Sequence, residues 1–360
     1  SRGLGDVYKR QVHERLGRLP LERVLAPAVA LARDGVALNA EQAYLLDILQ
    51  PILSFSEVGR RLYTRRGRPL AVGEQLVNSE LSDFLERLVE STAHAGFAEP
   101  QLAAQIAADM AAGGGHVTLN DLTAYQVCER APLAFDYRGV HVLANPPPSF
   151  GGELVAVSLQ LLEAGGPMPA FGSAAHLERL VDGMIETDAI RARGEVAARL
   201  RSAQGTTHVS VADAAGNVAS MTTSNGESSG YLVPGTGVML NNMLGEEDLH
   251  PDGFHAAPAG ERVASMMCPT LLLRDGAHWL ALGSGGSKRI RTALAQVVSN
   301  AVDYGMDPRS AVEAPRVHWD GEVLQHEPGV SADARAALAA RWPLNGWSQR
   351  NLYFGGVHAV

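Results

Sequence analysis

The hydrophobic period of this chain changes close to Thr206, and that change restricts the fold more than any other feature. Before it, apolar residues recur every three to four positions over residues 21–32, 80–88, 101–110, 153–162 and 176–190, the spacing of helices that bury one face. After it, residues 206–213 and 217–224 alternate like strands around Ala214-Ala-Gly-Asn217. Residues 270–274 and 278–283 do the same around Asp275-Gly276, a pair suited to a tight hairpin turn. Helical spacing returns at 290–304 and 332–340. Two hairpins require an antiparallel sheet, and the surrounding helices are expected to cover it, which places the chain in the α+β class. Local punctuation agrees: Gly113-Gly-Gly115 stops a helix, Thr118-Leu-Asn-Asp121 has the form of a capping box, and Asn145-Pro-Pro-Pro-Ser-Phe-Gly-Gly152 breaks the chain before the next helix.

Composition excludes several partner classes. The 360 residues allow two modest domains or one large one, and 46% hydrophobic with 19% charged residues is the balance of a globular protein. Thirty basic against thirty-nine acidic residues give a net charge of −9, and no basic run interleaves with aromatics, so no nucleic-acid partner is expected. Eighteen uninterrupted apolar residues occur nowhere, so no membrane span is expected. Cys128 and Cys268 are too few for a disulfide framework or a four-ligand zinc site, and the twelve histidines form no metal-binding motif, so no metal is expected. Residues 1–11 share no pattern with the helix that follows and are expected to be an artefactual leader. The remainder divides into a mostly helical portion, 12–205, and a sheet-rich portion, 206–360.

Gly205-Thr-Thr-His-Val-Ser-Val-Ala-Asp213 is the segment from which chemistry follows. It is either a polar strand start or a self-cleavage site. In the second case the Thr206 hydroxyl attacks the carbonyl of Gly205, the resulting ester hydrolyses, and Thr206 becomes a new N-terminus. Its α-amine, with an ordinary pKa of about 7.7–8.0, can then serve as general base for its own hydroxyl. His208 is expected to be a satisfied structural histidine.

Thr206-Thr-His-Val-Ser-Val211, Leu240-Asn-Asn242, Cys268-Pro-Thr270 and Gly283-Ser-Gly-Gly-Ser287 together resemble the small subunit of the γ-glutamyltranspeptidases. Gly114-Gly-His-Val-Thr-Leu-Asn-Asp-Leu122, Tyr137-Arg-Gly139 and Pro146-Pro-Pro-Ser-Phe-Gly-Gly152 resemble that family's large subunit, so the likeness covers residues 20–355 or so. The resemblance implies an N-terminal-nucleophile hydrolase fold, a four-layer αββα sandwich, made by autocatalytic cleavage at Gly205–Thr206 into two subunits that remain associated as a heterodimer. It implies no cofactor, a small γ-glutamyl donor such as glutathione, water or an amino acid or peptide as acceptor, and a periplasmic or secreted location.

Carried over position by position, the resemblance makes Thr206 the nucleophile and turns Thr207 to the opposite side of the strand. A second hydroxyl falls on Ser224 or Thr223, with Ser224 favoured, and Asn225 is matched to glutamyl binding. Gly285 and Gly286 are matched to an oxyanion hole, where glycine permits close backbone approach. A phosphate loop would need a Gly-Lys step that Gly283-Ser-Gly-Gly-Ser-Lys-Arg289 lacks. The substrate ammonium is assigned to Glu246, with Glu247 or Asp248 under a short shift, and the α-carboxylate to Ser265. Met266 stands where the family has a second serine. The family's carboxylate-binding arginine lies upstream of anything matching residue 20, Arg60 and Arg61 are expected to form a solvated face, and the segment from Arg191 to Thr206 is shorter than usual. Weak or absent activity is therefore expected of this chain on its own. Two alternatives remain, a glutaryl or cephalosporin-type acylase and a non-catalytic homologue acting as a binding protein.

Overall fold

The computed structural model describes residues 5–90, 97, 99–193, 206–245, 253–254 and 260–360. The chain separates into two compact units, Ser1–Glu129 with Glu227–Met243, and Arg130–Gly226 with Leu244–Val360. The first is largely helical. Its helix Leu21–Asp34 packs along Ser79–Glu90, and stacked Phe84 and Phe97 (centroids 5.4 Å apart) share a small core with Ala103, Ile106, Leu122 and Val233. The capping box forms as expected: Asp121 N–H donates to Thr118 Oγ1 (3.2 Å) and Thr118 N–H to Asp121 Oδ2 (2.8 Å). Helix Gly5–Leu16 continues across residue 11, the expected end of the leader.

The second unit contains, in chain order, β1 (Leu133–Tyr137), β2 (Val140–Ala144), α1 (Phe150–Ala164), α2 (Ala174–Ala192), β3 (Thr206–Ala212), β4 (Val218–Ser224), β5 (Thr270–Arg274), β6 (Ala277–Ser284), α3 (Arg289–Asp303), β7 (Val317–Trp319), β8 (Leu324–His326), β9 (Leu344–Gly346) and β10 (Val357–Ala359). Among the described residues a five-stranded antiparallel sheet runs β10-β6-β5-β2-β1. Alternation assigns its faces. Val140, Val142, Leu272, Leu280 and Leu282 are buried in one core with Leu154 and Leu159 of α1 and Leu294 and Val298 of α3, each such side chain contributing about 1.5–3 kcal/mol by leaving water. The hairpin β3–β4 packs over β6. In a separate sheet β7 pairs antiparallel with β8, and β8 pairs parallel with β9.

The unit is thus mixed helix and sheet, and both expected hairpins form. A third hairpin, β1–β2, lies inside the portion expected to be mostly helical. Arg138 (φ 51°) and Gly139 (φ 78°) turn it, as Asp275 (φ 52°) and Gly276 (φ 76°) turn β5–β6. Arg138 is held in its left-handed conformation by tertiary bonds, its side chain donating to Asp303 Oδ1 (2.9 Å) and to the Gly166 carbonyl (2.6 Å). No helix among the described residues is long and apolar enough to cross a membrane.

Candidate active site

The β3–β4 hairpin pairs Thr206 with Ser224, His208 with Thr222 and Ser210 with Ser220. A strand side-chain period of two puts these six polar residues on one face. Asp213 sets the register from the turn: its carboxylate accepts from the N–H groups of Ala215 (2.9 Å) and Asn217 (2.9 Å), and Gly216 takes φ 81°. The polar face meets the end of β6 and the residue after it, where Gly283 and Gly285 make room. A Cβ on Gly283 would lie 2.2 Å from the His208 ring, and one on Gly285 would lie 2.3 Å from the Thr206 carbonyl oxygen.

Half-buried hydroxyls and the buried imidazole satisfy one another along this row. His208, 3% exposed, has Nδ1 2.7 Å from Thr222 Oγ1 and Nε2 2.8 Å from Ser210 Oγ. Burial, with a smaller contribution from His358, pushes its pKa down to about 4, so the ring is neutral near pH 7. At the row's end Thr206 Oγ1 donates to Ser224 Oγ (3.2 Å), which also accepts the Gly226 N–H (3.0 Å). Ser224, rather than Thr223, is thus the hydroxyl brought to Thr206, and Thr207 is exposed where Thr206 is half-buried.

Gly285 and Gly286 (φ 116°) follow β6 directly, with Gly285 against the Thr206 main chain. Ser265 is buried beside the head of α1. Its Oγ lies 3.0 Å from Ser149 Oγ, and its carbonyl accepts the Phe150 N–H (2.8 Å), while the Ser149 hydroxyl donates to the Met267 carbonyl (2.6 Å). Met266 is buried in the apolar core. Asn225 is exposed one residue beyond β4. Gly205, Glu246, Glu247 and Asp248 lie outside the described residues. Arg60 and Arg61 are exposed, Arg60 donating to the carbonyls of Ser54 (3.2 Å) and Phe55 (3.1 Å), and Arg61 lying 3.5 Å from Glu57. Sequence reasoning missed Ser149, although it stands in the quoted proline motif. It also missed the packing of the Phe354–Gly355 turn on Gly285.

The hairpin thus places a strand-leading threonine beside a second hydroxyl and against Gly285, the first of a glycine pair. The family model described as Gamma-glutamyltranspeptidase matches residues 8–193 and 174–360. This chain belongs to that family. It is 31% identical over 385 residues to a glutathione hydrolase proenzyme of Escherichia coli (strain K12), covering 91% of this chain and 66% of that protein. To an acylase ACY 1 proenzyme of Pseudomonas sp. (strain V22) it is 31% identical over 366 residues, covering 91% and 65%. The crystal structure of a cephalosporin acylase from Bacillus halodurans is similar with a TM-score of 0.80 at 25% identity, covering 97% of this chain and 74% of that one. The gamma-glutamyltranspeptidase-family chain spans about two thirds of the length of these curated relatives.

Proposed function

We propose that the protein is a γ-glutamyl transferase and hydrolase that matures by cutting Gly205–Thr206. The observation that carries this is Thr206 itself. It opens β3 with its hydroxyl 3.2 Å from Ser224 Oγ and its main chain against Gly285. Once freed, its α-amine takes the hydroxyl proton as the oxygen attacks the γ-carbonyl of the donor, then returns it to the departing amine. Amide N–H groups of Gly285 and Gly286 stabilise the oxyanion, a service whose loss costs about 10²–10³ in kcat per donor. Water or an amino acid or peptide amine then attacks the γ-glutamyl ester and releases Thr206. Asn225, Ser265 and the acidic run Glu246, Glu247 and Asp248 hold the glutamyl end, with an ammonium facing carboxylates and a carboxylate facing hydroxyls.

The finer fold in this proposal is the four-layer αββα sandwich of N-terminal-nucleophile hydrolases. The 12–205 and 206–360 portions become its two subunits after cleavage, in a periplasmic or secreted location. The proenzyme names of the relatives support the maturation step. Mass analysis of the purified full-length protein is the direct test: two chains, one beginning at Thr206, are expected, and a single chain that stays intact on incubation refutes the proposal.

An acylase acting on another dicarboxylic side chain is the second reading. The similarity to an acylase proenzyme supports it, as does Met266, which stands where the family resemblance has a second serine. Faster hydrolysis of a glutaryl amide than of a γ-glutamyl anilide would select it.

A further inference from the structure

We infer that Arg316 and Glu327 are positioning residues for the glycine pair, acting through the Phe354–Gly355 turn; this rests on the proposed roles of Gly285 and Gly286. Arg316 stands just before β7 and Glu327 just after β8, and the two are joined four times. Arg316 Nη2 donates to Glu327 Oε1 (3.0 Å) and Nε to Oε2 (3.1 Å), while the Arg316 N–H donates to Oε2 (2.9 Å) and the Glu327 N–H to the Arg316 carbonyl (2.9 Å). Both side chains are nearly buried, at 11% and 3% exposure. A carboxylate held by two parallel N–H donors leaves the guanidinium plane a single orientation.

That orientation aims the remaining terminal nitrogen at one place. Arg316 Nη1 donates to the carbonyls of Phe354 (3.2 Å) and Gly355 (3.1 Å). Gly355, at φ 75°, lies against the end of β6, where a Cβ would stand 2.4 Å from the Gly285 carbonyl oxygen and 2.9 Å from Ser284 Oγ. Gly286 approaches from its side, a Cβ there lying 3.1 Å from Gly355 Cα. Gly285 is therefore confined between the Thr206 main chain and Gly355. Neither glycine has a side chain to fix its peptide planes, and the direction of their N–H groups depends on what presses on them. The turn is clasped further, since Trp347 stacks on Tyr353 (5.0 Å) and Arg289 lies over the Tyr353 ring (4.8 Å).

Positioning predicts a loss in kcat rather than in donor affinity, because an oxyanion donor acts on charge that develops in the transition state. Arg316→Lys keeps the charge beside Glu327 but loses both the fork on its carboxylate and the Nη1 that reaches the two carbonyls; Gly355→Ala presses directly on Gly285. In the full-length protein with a γ-glutamyl anilide, each variant is expected to lower kcat at least tenfold with KM changed less than twofold. Arg138→Lys, which weakens the Arg138–Asp303 pair elsewhere in the same unit, serves as the control. It is expected to lower the melting temperature while keeping kcat within twofold. Equal kcat losses in Arg316→Lys and Arg138→Lys at matched melting shifts overturn the inference, as does a loss confined to KM. A wild-type protein with no turnover refutes the proposed function together with the inference, whereas an active wild type with unaffected variants refutes the inference alone.

Discussion

Replacing Gly283 with alanine tests the packing of the polar hairpin on the sheet without reference to activity. The new Cβ would stand 2.2 Å from both Cε1 and Nδ1 of His208, where ordinary carbon contacts fall at about 3.5–4.0 Å, so the ring must retreat by more than about 1 Å. It has no free direction, because Nδ1 is held by Thr222 and Nε2 by Ser210. Overpacking of this kind costs about 1–3 kcal/mol, and each buried polar group stripped of its partner adds about 1–3 kcal/mol. A total near 3–5 kcal/mol corresponds to a fall in melting temperature of roughly 10 °C for a unit of this size. The assay is thermal unfolding followed by circular dichroism across a double-mutant cycle. His208→Ala removes the obstacle, so adding Gly283→Ala to that background is expected to change the midpoint by less than about 3 °C, the coupling expected of residues in contact. Additive shifts in the double variant would refute the packing argument.

Thr206→Ala is expected to leave one uncleaved chain by mass analysis and no turnover of a γ-glutamyl anilide. Ser224→Ala, which removes the hydroxyl bonded to Thr206, is expected to lower kcat about tenfold, equivalent to about 1.4 kcal/mol of barrier; an unchanged kcat would remove Ser224 from the site. Acid is expected to destabilise the fold through its buried histidines. Burial holds His208 and His176 down at about 4, and burial with nearby Arg291 and Arg289 holds His318 at about 3, against about 6.5 unfolded. Across pH 6.5 to 4 the unfolded chain therefore binds more protons than the folded one, and stability falls as pH falls. His318→Gln is expected to flatten the melting temperature against pH in that window, and an unchanged slope would refute the assignment.

Local rules made much of the second unit legible. Hairpins β3–β4 and β5–β6 and helix α3 follow from period and turn chemistry, since Asp275-Gly276 fits positive φ at both turn positions. The β1–β2 hairpin was hidden because its turn uses Arg138, whose conformation is secured by Asp303 far along the chain. Thr206 was legible by resemblance and its second hydroxyl only as Ser224 or Thr223, a choice that the register of β3 on β4 makes by pairing Thr206 with Ser224; the closeness of β6 was not legible, since Gly283 and Gly285 announce flexibility and not what fills the space above them. The Arg316–Glu327 pair has no local signal, as neither residue differs in sequence from an ordinary surface charge. Ser265 was singled out by resemblance, and its clasp on Ser149 depends on how the chain folds back at the head of α1.

The row of hydroxyls and imidazole beneath Thr206 makes the location of its oxygen a quantised property. Mating through paired donors and acceptors, unlike mating through oil, has discrete solutions, and the neighbouring one lies a full two-residue step, about 6.6 Å, away. A single inserted residue within β3 would invert the strand, presenting Val209 and Val211 to the glycines and casting the hydroxyls into solvent. An insertion at the 213–217 turn would be absorbed in water. Length changes in this region should therefore be tolerated at the loop and forbidden one peptide into the strand, a boundary that an insertion scan would reveal as abrupt.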